Sequence, residues 1–345
     1  MDLKDKGEKT TIFRNNAIFP AWITICSEIN SEFRDDLSCW KQPLYHYTNI
    51  DGFMSILKNR DFWISNIRYM NDSQEFENGK NIFKKIYKNR IQSANILEKK
   101  FFEELIEICD KDSSIGYFKI RNKDIFAMSF CSDGDLLTQW QLYGNGGVAI
   151  GFDNPPNDPF DTITFMDEDQ YEQEIIKTPP ENMYPHDELR LFPWKIIYDD
   201  EKKGKIFDSI VNIGLNFMEA YSDDVMDMCL DGISDALFYY FALMKDANFK
   251  HENESRFLYY FKQDGKTKIC FRKRGNVILP YLRLKILDVN CCPHKIFPIN
   301  DIVVAPGSQK EYVADSIKYF LEKTGYDYLV DKVRVSQIPY RGYIG

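Results

Sequence analysis

Apolar and polar positions alternate along the chain with two different periods. From Ala21 to Phe33, Trp22, Ile25, Ile29 and Phe33 recur at helical spacing. After "LYHYT", the run "NIDGFMSILKNR" puts Ile50, Phe53, Met54 and Leu57 on one face, predicting a helix of about two to three turns capped by Asn49. "DFWIS" predicts a short strand. "NDSQEFENGKNIFKKIY" predicts a helix opening near Asn71 or Asp72 with Glu75 in its first turn, and "SANILEKKFFEELIEICD" predicts another. Strands are then expected at "DIFAMSFCS", "GGVAIGFD" and "WKIIYD", with a short helix at "DLLTQWQLYG" and a turn at Gly144, Gly146 and Gly147.

A helical block follows at about residues 201–248, where Phe207, Ile210, Val211, Leu215 and Met218 share a face and "VMDMCLDGISDALFYYFALMKDANF" forms a second, buried helix. Strands return at "SRFLYYF", "KICFRKR", "NVILPYLRLKILDV", "INDIVVAP" and "KVRVSQIP", with a helix at "EYVADSIKYFLEKTG". Strands clustered in groups, with helices between the groups, predict an α+β fold rather than a βαβ alternation. The reading divides the chain into an N-terminal helical segment, residues 1–42, and an α+β domain, residues 43–345, with the 201–248 helices as an insertion. Acidic, proline-rich 154–193 reads as loops with one strand, serving as a lid or an interface.

Composition narrows the function classes. The net charge of −9 argues against a general nucleic-acid-coating protein. One basic stretch, "KQDGKTKICFRKRG", carries Lys262, Lys266, Lys268, Arg272, Lys273 and Arg274, and reads as a solvated strand edge or as a phosphate-binding face. The longest apolar run, "ALFYYFALM", is far below the roughly 20 residues of a membrane span, and no export signal precedes it. Eight cysteines without CxxC spacing then read as reduced thiols of a cytoplasmic protein. Cys291, Cys292 and His294 in "NCCPHK" read as a structural turn, since a metal site would need another ligand from elsewhere; no metal is expected.

No P-loop, dinucleotide fingerprint, zincin motif or nucleophile elbow is present, and "GNGGVAIG" precedes a strand instead of opening a helix. Four polar groups stand out. In "YHYT", His46 and Thr48 share one face of a strand, and His46 reads either as a core histidine bonded to backbone or as a ligand contact. "YMNDSQEF" offers Asn71, Asp72 and Glu75, for which a helix cap explains most. "SFCSDGDLLTQW" offers Ser129, Asp133 and Gln139, with a turn and cap as the plain reading. In "FKHENESRFLYYF", Glu252, Glu254 and Arg256 alternate and are expected on one side of a strand, as a functional group or a structural ion pair.

In this order, "LYHYTNIDGFMSIL", "FWISNIRYMNDSQEF", "FAMSFCSDGDLLTQWQLYGNGGVAIGFD", "FKHENESRFLYY" and "DIVVAPGSQKEYVADSIKYFLEKTG" resemble the bacterial domain-of-unknown-function family 2971, over about residues 44–341. "YHYT" before a helix and a short strand also resembles, more distantly, the opening of ADP-ribosyltransferases, including DNA-modifying toxins. That resemblance implies a split antiparallel sheet core with the helices as a large insertion. It also implies NAD as substrate, Glu254 of the Glu252-Asn253-Glu254 pattern as the catalytic carboxylate, and Glu252 as the base activating the acceptor. It casts His46 as the sugar anchor, Ser129 as the middle member of the triad, Tyr47 or another aromatic as a stacking ring and Arg256, or the basic strand after it, as a pyrophosphate contact, with Thr48 and Asn71 as further nucleotide contacts. The acceptor of ADP-ribose would be protein, nucleic acid or water, and a partner protein in a toxin or phage-defence system follows by analogy. The other reading is a non-catalytic nucleotide-binding sensor or a partner-binding module.

Overall fold

The computed structural model describes residues 32–33, 36–37, 43–70, 75–111, 123–152, 164–167, 193–221, 226–262, 269–287 and 299–340. Of the helix expected over Ala21–Phe33, only Glu32 and Phe33 fall within these, and both are helical. Asn71, Asp72, the "NCCPHK" turn and nearly all of the acidic segment lie outside the described residues. In chain order the elements are β1 (Leu44–Thr48), α1 (Ile50–Asn59), β2 (Asp61–Asn66), α2 (Glu75–Arg90), α3 (Ile96–Lys111), β3 (Lys123–Cys131), β4 (Val148–Phe152), β5 (Thr164–Asp167), β6 (Pro193–Lys195), α4 (Asp200–Tyr221), α5 (Met226–Phe241), β7 (Glu254–Lys262), β8 (Cys270–Arg274), β9 (Val277–Leu287), β10 (Ile299–Val304), α6 (Lys310–Lys323) and β11 (Val333–Val335). Helical turns at Leu137–Gln139 and Trp140–Gly144 fill the β3–β4 connection, and one at Ala247–Glu252 precedes β7.

The chain forms two compact units, one of residues 1–37, 71–123 and 197–247, the other of 38–70, 124–196 and 248–345. The first is helical. α4 and α5, expected as a separate insertion, share this unit with α2 and α3, because each offers an apolar stripe that needs a partner. Phe83, Phe101, Phe207, Phe238 and Phe241 are fully buried there. Gly214 lies where a Cβ would come within 2.9 Å of both Phe101 and Ile233, so only glycine lets these helices approach as they do. The Lys203 ammonium is also fully buried, and it donates to Asn78 Oδ1 (3.0 Å), Asp200 Oδ1 (2.8 Å) and the Lys245 carbonyl (2.9 Å).

The second unit holds an 11-stranded sheet, ordered β11-β10-β4-β1-β3-β2-β9-β5, with β7 beside β3, β6 beside β7 and β8 beside β9. The fold is therefore α+β. The sheet is mixed: β10 and β11 run parallel across α6, while β1–β4, β2–β9 and β8–β9 are antiparallel. α1 begins where Asn49 Oδ1 accepts from Gly52 N (2.8 Å), as the sequence predicts, and ends at Arg60 in the left-handed region. Its buried residues are Phe53, Ile56 and Leu57; Met54 is 44% exposed, so the apolar stripe is rotated from the expected one.

Direct cross-strand partners point to the same face of a sheet, and successive residues alternate. Leu44, Phe62, Ile64, Phe126, Met128, Phe130, Ile150, Phe152 and Phe257 form the main core on one face, packed with Phe53 and Leu57 of α1 and Ile317 and Leu321 of α6. Tyr47, Cys131, Trp140, Ala149 and Val303 form a smaller core on the other. Among the described residues no helix is long and apolar enough to cross a membrane.

Candidate functional site

β3 is the strand on which the site is built. β1 meets it at its C-terminal end, with Tyr45 opposite Cys131, and β2 meets it further back, with Ser65 opposite Ala127 and Asn66 opposite Phe126. Met128, Ser129 and Phe130 lie between these two pairings. His46 bonds there: its Nδ1 lies 3.2 Å from the Ser129 carbonyl, which can only accept, so Nδ1 carries the proton. The ring stands edge-on to Phe62 (5.6 Å between centroids) and tilted on Phe130 (5.9 Å). Burial pushes its pKa down to about 4, against the pull of the Ser129 hydrogen bond, and the positive charge of Arg272 lowers it further. The imidazole is thus neutral at pH 7, and Nε2 is its acceptor nitrogen.

β7 fixes the position of the acids. Phe257 packs edge-on to Phe130 at 4.8 Å, within the main core. By alternation Glu254 and Arg256 project to the opposite face, that of Cys131. His46 and Glu254, which the resemblance casts as sugar anchor and catalytic carboxylate of one site, therefore lie on opposite faces: His46 belongs by its contacts to the side of Phe62 and Phe130. Glu254 and Arg256 do share a face, as expected, and form a buried side-on pair, Nε to Oε1 at 2.7 Å and Nη2 to Oε2 at 3.0 Å. Arg256 is 0% exposed, so its guanidinium serves Glu254 and the interior rather than a solvent-borne pyrophosphate.

Glu252 departs from the expected strand. It closes the turn Ala247–Glu252, and Asn253 adopts a left-handed φ of 48° that breaks the alternation before β7 begins. The Asn253 amide meets the Ser132 hydroxyl, while the Glu252 carbonyl accepts from Gln139 Nε2 at 2.9 Å. Glu252 is buried but close to Cys131. Burial pushes the Cys131 thiol up to about 11, and the charges of Asp133, Glu254 and Glu252 add to the effect, so it remains a protonated thiol and not a nucleophile.

Two other predicted contacts are structural. The Tyr47 hydroxyl donates to the Asp133 carbonyl (2.8 Å) and accepts from Leu136 N (2.9 Å), and its ring packs against Trp140 at 4.6 Å. Burial raises its pKa, and the residue is only 7% exposed. Thr48 crowds the start of α1: a Cβ on Gly52 would collide with its Oγ1, and one on Gly147 with its carbonyl. Both glycines answer to that strand end. Asn71 lies outside the described residues.

Ser129 is different. Met128 and Phe130 belong to the main core, so its side chain projects to the Cys131 face, where Oγ is buried without a hydrogen-bond partner. On that face Ser65, opposite Ala127, is its diagonal neighbour. Ser65 Oγ accepts from Arg272 Nη2 at 2.9 Å, whereas Arg272 Nε is buried and unpartnered. Arg272 lies beside the stacked rings of Trp63 and Tyr281, 5.6 and 5.8 Å from their centroids. Burial, then the neighbouring Arg274, lowers its pKa from a value so high that it remains a cation.

The sequence offers Arg272 only as one of six cations in a basic run that reads as a solvated edge or a phosphate-binding face. The available signal was alternation: Cys270, Arg272 and Arg274 share a side in β8. One face of the sheet therefore gathers an unpaired hydroxyl, a guanidinium with an unpaired N–H, an aromatic stack and the buried Glu254–Arg256 ion pair. Such a set suits a polyhydroxylated anion. Among the described residues no cluster of His, Cys, Asp or Glu could hold a metal ion.

No curated protein and no solved structure matches the chain. A family model does: residues 139–257, from the turn after β3 into the start of β7, match the family described as "Protein of unknown function (DUF2971)". The matched segment contains Glu252, Glu254 and Arg256 and excludes His46. Over that segment the chain is similar to the DUF2971 proteins.

Proposed function

We propose that the protein binds NAD on the sheet face of Ser129, Glu254 and Arg272 and cleaves it, passing ADP-ribose to a macromolecule or to water. The observation that carries the reading is the pair of buried, unpartnered polar atoms, Ser129 Oγ and Arg272 Nε, on the face that also bears Glu254. An unpaired buried donor or acceptor costs about 1–3 kcal/mol, which a ligand's hydroxyl and phosphate oxygens would recover. The resemblance of "YHYT" and the following helix to the opening of ADP-ribosyltransferases supports the same class.

In this mechanism the bond between C1′ and the nicotinamide nitrogen breaks and its electron pair leaves with nicotinamide. Positive charge develops on the ribose, and the Glu254 carboxylate, kept ionised by Arg256, stabilises it. Arg272 holds phosphate and Ser129 a ribose hydroxyl. His46, on the opposite face, holds the β3 backbone at Ser129 in place through Nδ1. The acceptor's nucleophile then bonds to C1′ and releases its proton to Glu252 or to water.

The second reading, a nucleotide sensor without turnover, is favoured by one observation: both Glu254 oxygens are already engaged by Arg256. Incubation with NAD and measurement of free nicotinamide separates the two. Release by the wild type, lost in Glu254→Gln, supports cleavage. Binding of ADP-ribose without release leaves the sensor, and the absence of both overturns the NAD reading.

A further inference from the structure

Trp63 and Tyr281 stack with ring centroids 4.5 Å apart and planes inclined by 28°. They come from different strands: Ser65 of β2 is opposite Tyr281 of β9, and Trp63 is opposite Arg283. The stack is unequal in its exposure. Tyr281 is 8% exposed and Trp63 38%, so the ring that reaches solvent is the indole. In a strand that sends Phe62 and Ile64 into the main core, a tryptophan on the outer face is a large apolar surface left wet.

Two guanidiniums flank it. Arg283 is tied to the buried Asp61, with Nε to Oδ2 at 2.7 Å. Arg272 is held by Ser65 through Nη2 and keeps its buried Nε without a partner. The indole is therefore backed by a second ring, fixed by the sheet and placed beside a cation with an unused N–H. A flat aromatic ring carrying an anionic substituent matches all of these features: its face stacks on Trp63 while its phosphate reaches Arg272.

We infer that Trp63, supported by Tyr281, is the base-recognition platform of this site and takes the purine of an adenine nucleotide. The inference rests on the nucleotide reading above and adds which part of the ligand lies where. Stacking favours purines over pyrimidines because the fused rings cover more of the indole. Trp63 acts on affinity and base preference and takes no part in bond cleavage.

Calorimetric titration with AMP and with ribose 5-phosphate tests it, since these share sugar and phosphate and differ in the base. The wild type is expected to bind AMP about tenfold or more tightly than ribose 5-phosphate. Trp63→Ala brings AMP down to the level of ribose 5-phosphate and leaves the latter unchanged, and Trp63→Phe restores most of the difference. Thermal melts of both variants check folding. Equal binding of the two probes by the wild type, an equal loss of both in Trp63→Ala, or binding confined to oligonucleotides overturns the platform. Nicotinamide release that is unaffected by Trp63→Ala, with no base preference, overturns the platform and leaves cleavage standing. Base-selective AMP binding without any nicotinamide release does the reverse.

Discussion

Lys203 and Arg272 both hold N–H groups withdrawn from water, and these are treated oppositely. The Lys203 ammonium has three donors and three acceptors, so every proton is matched. Arg272 is only partly buried, yet its Nε is closed off from water and has no acceptor. A protein pays for ordering Lys203 once and recovers stability from it. Arg272 is left in deficit in the free protein, which is what a group reserved for a ligand looks like. The contrast between the two charges lies in satisfaction, not in burial alone.

By that measure Arg256 belongs with Lys203, and its removal is expected to have the largest effect. Arg256→Met strands the buried Glu254 carboxylate, at a cost of about 3–5 kcal/mol in urea unfolding. A loss below about 1 kcal/mol would mean that Glu254 has other support or takes up a proton. Lys203→Met is expected to cost about 2 kcal/mol, less because Asp200 can turn its carboxylate to solvent while the Lys245 carbonyl cannot.

His46 contributes through pH. Its folded pKa, about 4, lies below the ordinary 6.5. Between those values the unfolded chain binds a proton that the native protein refuses. The stabilising contribution is therefore complete above pH 6.5 and is lost as pH falls towards 4. The loss is on the order of 2–3 kcal/mol. Carboxylates titrate over part of the same range, so the measurement is the difference in pH slope between wild type and His46→Phe. Parallel slopes from pH 7 to 4 would show that the imidazole is not desolvated as described.

Much of the local structure was legible in the sequence, and the pairing across strands was not. Asn49 caps α1 as its position before "IDGF" predicts, and Glu254 and Arg256 alternate onto one face as strand periodicity requires. His46 bonds to a backbone carbonyl, one of the two readings its setting allowed. The failures come from parity and from turns. One left-handed residue, Asn253, takes Glu252 out of phase with Glu254, and the only sign of it in "HENES" is that asparagine visits this region more readily than most residues. Which face His46 shares with which acid depends on the registers of β1 and β7 against β3, which are set by contacts more than eighty residues apart. Arg272 was hidden for a related reason: its neighbours Ser65 and Trp63 lie about two hundred positions away.

Arg272→Met is the smallest expected change in stability and the sharpest use of the contrast. The substitution removes a hydrogen bond to Ser65 and two cation–π contacts, each worth about 1 kcal/mol or less at a partly exposed site. It also removes an unsatisfied buried N–H and a repulsion with Arg274, both of which favour the variant. The terms oppose each other, so the urea midpoint should move by less than about 0.5 kcal/mol equivalent. ADP-ribose affinity should fall by about tenfold or more, because a charge-assisted bond to phosphate is lost. Lys203→Met should show the converse, lower stability with unchanged affinity per folded molecule. If Arg272→Met instead unfolds the protein while sparing the ligand, the unpaired Nε marks a bound water in a structural network, and the two cations are of one kind.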